Sequence, residues 1–117
     1  MGYTVELLHA TTQEPVLVPY HNIGSNVLVT NATMIDASAL VSYNYRPHLI
    51  KSIGGNGIYE LDGKTGNATI KTLKRAIKAL GNKRNTYWEP FEGDCKAILA
   101  VLLEWAERHK NAVWCIS

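Results

Sequence analysis

The sequence predicts an α+β fold: an antiparallel sheet from the N-terminal half, packed against two C-terminal helices and closed by a short strand. Three observations lead there. Apolar and polar residues alternate near the start of the chain, which is the period of a half-buried strand. From residue 67 onward the apolar period lengthens to that of a helix. A last apolar run, Ala112-Val113-Trp114-Cys115-Ile116, is too short for a helix and reads as a closing strand. The chain has 117 residues, 46% of them hydrophobic and 19% charged, which fits one domain over residues 1–117.

The elements follow in order. Tyr3, Val5 and Leu7 alternate with Thr4 and Glu6 as a first strand. Pro15 and Pro19 bracket Val16-Leu17-Val18, so that strand is short and at an edge. Asn22, Gly24, Ser25 and Asn26 mark a turn before a strand over residues 27–30, with Met34-Ile35 extending it past a bend. Residues 39–45 read as another strand, stopped near Pro47. Gly54-Gly55-Asn56-Gly57 reads as a flexible hairpin connection into a strand over residues 58–61, which ends at the Asp62-Gly63 turn.

Asn67 or Thr69 can cap a helix running to about Leu80, with Gly81 as the residue that stops it. On a helical wheel Ile70, Leu73, Ile77 and Leu80 fall within an arc of about 80°, and Lys71, Lys74, Arg75 and Lys78 within a separate arc of about 100°. Asp94 can cap a second helix, to about His109 or Lys110, whose apolar side covers nearly half its circumference. That breadth predicts a central helix packed on the sheet and on the first helix.

Charge is strongly segregated. The segment from Gly63 to Trp88 holds seven Lys or Arg and no Asp or Glu, so it carries +7 within a chain whose net charge is +2. The segments before and after it are acidic. Such segregation prepares one surface for an anion. The best candidate is the exit of the first helix, Asn82, Lys83, Arg84, Asn85, Tyr87 and Trp88. Forked or mobile N–H donors suit phosphate, amides can read base or ribose edges, and aromatic rings can stack on a base. The lysines of the helix face itself read more readily as a solvated surface. A second candidate is Tyr45, Arg46 and His48. On a strand, Tyr43 and Tyr45 would point one way and Asn44 and Arg46 the other, with Pro47 holding His48 where the strand leaves the sheet.

Catalytic and metal signatures are missing. His9, His21, His48 and His109 have no metal-ligand spacing, and the glycine loop lacks both the P-loop and the dinucleotide pattern. No cofactor is expected. Metal-free phosphodiester cleavage by His48, Tyr45 and Arg46 is the least strained enzyme reading, and a non-enzymatic role is favoured over it. Cys95 and Cys115 both sit in apolar stretches and read as reduced, packing thiols. No apolar run approaches the roughly 18 residues of a membrane span, and residues 1–6 lack the pattern of a signal peptide, so a cytoplasmic protein is expected.

Residues 87–117 carry Tyr87-Trp88-Glu89-Pro90, then Gly93, Leu102-Leu103-Glu104-Trp105-Ala106, His109 and Ala112-Val113-Trp114. This resembles the tail of small proteins encoded by phages and prophages. The resemblance implies a viral setting and the host cytoplasm, but no activity and no site residue come with it. Small phage proteins of this size resemble inhibitors of bacterial immunity, either anti-CRISPR proteins or sponges for nucleotide signals. The expectation is an anti-defence protein that sequesters a small anionic nucleotide without catalysis, its pocket built at a homo-oligomer interface. The alternatives are a protein-binding inhibitor of a bacterial defence protein, a nucleic-acid-binding protein, and the phosphodiesterase.

Overall fold

The computed structural model describes residues 2–19, 34–81 and 92–117. The expected turn at 22–26 and strand at 27–30 lie outside them. Strand β1 (Gly2–Leu8) is the centre of a three-stranded antiparallel sheet. It pairs on one side with β4 (Ser38–Ser42) and on the other with β5 (Val113–Ile116). Strands β2 (Leu17–Pro19) and β3 (Met34–Asp36) form a separate two-stranded ladder. Ala37 joins the two ladders. Its carbonyl accepts from Leu7 N at 3.0 Å, and its N–H donates to Val16 O at 2.8 Å.

The alternation in β1 is what places the sheet. Tyr3, Val5 and Leu7 are buried, as are Ala39 and Val41 of β4 and Trp114 and Ile116 of β5. Against that face pack α1 (Arg46–Ile53), α2 (Gly66–Ala79) and α3 (Glu92–Arg108). The α+β architecture is therefore as the sequence predicts, with α1 as an additional short helix. From α2 come Leu73 and Ala76, and from α3 Leu99, Leu102, Trp105 and Ala106, all fully covered. Trp105 and Trp114 stack with centroids 6.4 Å apart, which locks α3 onto β5. Cys95 is buried and Cys115 half-buried, and neither is in a disulfide. Among the described residues no helix is long and apolar enough to cross a membrane.

Three local expectations are corrected. The strand over 39–45 ends at Ser42, whose Oγ accepts from Asn44 N at 3.2 Å and starts a 3-10 turn over Tyr43–Tyr45. Pro47 then sits in the first turn of α1, where its missing N–H costs nothing, so it starts a helix rather than stopping a strand. Residues Gly57–Leu61 form a 3-10 turn instead of a strand, because Ile58 and Leu61 are both buried at the three-residue spacing of that helix. The helix caps also shift. Thr65 caps α2, its Oγ1 accepting from Ala68 N at 3.2 Å, and α3 begins at Glu92 with Asp94 inside its first turn.

Candidate functional site

The basic face of α2 is present as its periodicity demands. Lys71, Lys74, Arg75 and Lys78 are exposed, while Leu73, Ala76 and Leu80 are buried on the other side. The four cations are not equivalent. Arg75 Nη2 donates to Ile53 O at 3.2 Å, satisfying a carbonyl at the end of α1. Lys74 Nζ lies 4.0 Å from Glu107 Oε2 on α3, an exposed and therefore weak pair. Among the described residues no carboxylate pairs with Lys71 or Lys78. Two of the four side chains thus help hold the helices together, and two stand open.

The N-terminus of α2 is closed to anions. Gly66 N donates to Ala112 O at 2.8 Å and Asn67 N to Lys110 O at 2.9 Å. With Ala68 N taken by Thr65, the first three donors of the helix are spent inside the protein. Any positive field that α2 offers a ligand therefore comes from the side chains on its flank.

Asn82, Lys83, Arg84, Asn85, Tyr87 and Trp88 lie outside the described residues. What is described is how the chain enters that segment. Leu80 leaves the helix in an extended conformation with its side chain buried, and Gly81 follows half-buried. Tyr45, Arg46 and His48 are described, and their expected strand geometry is corrected. Tyr45 closes the 3-10 turn, half-buried against the core, and Arg46 opens α1 in an exposed position. His48 is the third residue of α1 and half-buried. Tyr45 and His48 both make contacts with neighbouring groups. The two-sided row on a strand that grouped them for ligand contact is absent. Tyr43 instead packs edge-on against Tyr3, with centroids 4.7 Å apart.

The glycine loop links α1 to a 3-10 turn and is not a hairpin. Gly54, Gly55 and Gly57 all have positive φ, a conformation that side chains rarely adopt. Glu60 Oε1 accepts from Asn56 N at 3.1 Å, and a Cβ on Gly55 would collide with that oxygen. A carboxylate of the protein already occupies the backbone donor that a phosphate would want.

A groove of about 640 Å³ was not foreseen from the sequence. One wall is the loop after β1, with His9, Thr11, Thr12 and Glu14. The other is the turn from α3 to β5, with Arg108, His109, Lys110 and Asn111. The signal that would have found it is strand register: Leu8 opposite Val113 sets the residues after 8 beside those before 113. Among the described residues no three His, Cys, Asp or Glu side chains come together as a metal-ligand set.

No family model matches the chain, and no similar characterised protein or solved structure was found. The phage-like pattern of residues 87–117 therefore rests on its residues alone. Of these, Leu102, Trp105, Ala106, Ala112 and Trp114 are core residues, so the described part of the pattern is a packing signature.

Proposed function

We propose that the protein binds a small anionic nucleotide and holds it without converting it. In the phage setting that residues 87–117 suggest, it withholds that nucleotide from a bacterial defence system. The supporting observation is the asymmetry of the α2 cations. Lys71 and Lys78 stand exposed with no carboxylate partner among the described residues, on a helix fixed by its own cap, by Arg75 and by a buried apolar side. That helix leads directly into Asn82, Lys83, Arg84, Asn85, Tyr87 and Trp88, which supply further cations, amides and stacking rings. A chain of this size buries most of its apolar surface in one core, so a pocket for a whole nucleotide is best made between two copies.

The test is thermal denaturation with cyclic nucleotides and cyclic ADP-ribose isomers, paired with native mass spectrometry. At a ligand concentration about 100 times Kd, binding stabilises the folded state by about 2.7 kcal/mol, a shift of several degrees. A monomer whose melting temperature none of these ligands moves would overturn the reading.

One observation favours a second reading. Lys71 and Lys78 on an open helix flank can follow a phosphate backbone, so nucleic-acid binding is the alternative. It predicts affinity that falls steeply with salt; weak, salt-insensitive retention on DNA would exclude it.

A further inference from the structure

We infer a second anion site, for the phosphate monoester of a small polar molecule, in the groove between the loop after β1 and the turn from α3 to β5. No residue of α2 lines the groove.

Both walls are held by the backbone. In the first, His9 N donates to Glu14 O at 2.8 Å, Gln13 N to His9 O at 2.9 Å, and Glu14 N to Thr12 Oγ1 at 3.3 Å. Gln13 sits at φ 59, the one non-glycine with positive φ among the described residues. A side chain in that region is disfavoured, so the surrounding bonds must fix it there. In the second wall, the carbonyls of Lys110 and Ala112 are held by the first N–H groups of α2. Gly66 lies so close that an added Cβ would stand 2.7 Å from His109 O. The His109 ring is fixed by Nε2 against Leu17 O at 2.8 Å. In the neutral ring that bond makes Nε2 the protonated nitrogen and leaves Nδ1 as an acceptor.

The lining selects the ligand. Arg108 and Lys110 bring two positive charges to a lining whose single carboxylate is that of Glu14. Cations near a helix C-terminus usually serve the helix dipole. Here the α3 to β5 turn already meets the positive end of α2, whose N–H groups bond its carbonyls. Arg108 does lie 3.6 Å from Glu104 Oε1, but both side chains are about half exposed, and such a pair yields readily to a stronger acceptor. The forked guanidinium suits phosphate. Thr11, Thr12 and Asn111 offer the hydroxyl and amide groups that a polar ester moiety needs.

The experiment is amide-resolved NMR titration of the full chain with glycerol phosphate and inorganic phosphate, with glycerol as the uncharged control. Saturable shifts confined to residues 9–14 and 108–112 are expected with the two phosphates and not with glycerol. The double variant Arg108→Ala/Lys110→Ala should weaken binding at least about tenfold, while Lys71→Ala/Lys78→Ala should leave it unchanged. Glu14→Gln should tighten it, since a like charge is removed. Near-ultraviolet circular dichroism of the stacked tryptophans checks that each variant is folded. Shifts scattered over all the lysines, no saturation in the millimolar range, or weaker binding by Glu14→Gln would each overturn the assignment. The last result would mean that the groove prefers a positively charged group.

Discussion

Thr69→Val tests the bond that ties α2 to β5. Thr69 and Trp114 are both about 1% exposed, and the indole Nε1 donates to Thr69 Oγ1 at 2.8 Å. The same hydroxyl donates onward to Gly66 O at 2.9 Å. Valine keeps the branched shape and nearly the same helix propensity, so packing and backbone terms nearly cancel. What remains is a buried indole N–H with no acceptor. Such a group costs about 1–3 kcal/mol, because its desolvation is no longer repaid. We expect a loss of about 2 kcal/mol, or roughly 8 °C in melting temperature for a domain of this size. Chemical denaturation followed by tryptophan fluorescence reads it. Thr69→Ser, which keeps the hydroxyl and loses a methyl group, should retain more stability than Thr69→Val. If Thr69→Val stays within about 0.5 kcal/mol of the parent, or if Thr69→Ser is the worse variant, the hydroxyl does not carry this contact.

The remaining predictions concern both helix faces. Gly66→Ala sets two effects against each other. Alanine gains up to about 1 kcal/mol of helix propensity, but its Cβ would stand 2.7 Å from His109 O and 3.0 Å from Ala106 O. Backbone atoms cannot step aside cheaply, so the variant should melt lower by calorimetry despite the better helix former. Lys71→Ala/Lys78→Ala should change stability by less than about 0.5 kcal/mol yet reduce nucleotide retention in a binding assay. Arg75→Met, in contrast, should cost about 1 kcal/mol in denaturation, because a carbonyl at the end of α1 loses its donor.

Much of the fold was legible because burial imposes a period. Tyr3, Val5 and Leu7 announce β1, and the separated apolar and basic arcs announce α2 with both its faces. Short segments were not legible in the same way. Ile58 and Leu61 are buried three residues apart, which a four-residue window cannot separate from a strand. Ser42 and Pro47 look like strand terminators until Ser42 is seen capping a turn and Pro47 opening a helix. The contact of Glu60 with the glycine loop was not legible either, because its side chain folds back onto Asn56 N from outside the motif. The groove was invisible because His9 and His109 share no local pattern. They meet only through the pairing of β1 with β5.

That pairing shapes how the chain can assemble. Strand β1 lies in the middle of its sheet and precedes both of its partners, which arrive only at residue 38 and at residue 113. Until they do, Tyr3, Val5 and Leu7 have no ladder to join. Contacts this distant in sequence make folding slow relative to a helical bundle of the same length. The segment from Val5 to Ile116 must close into a loop before the sheet has its third strand. A nascent chain would therefore hold one edge of β1 unpaired until residue 113 has been made, a stage at which chaperone binding and edge-to-edge association compete with folding.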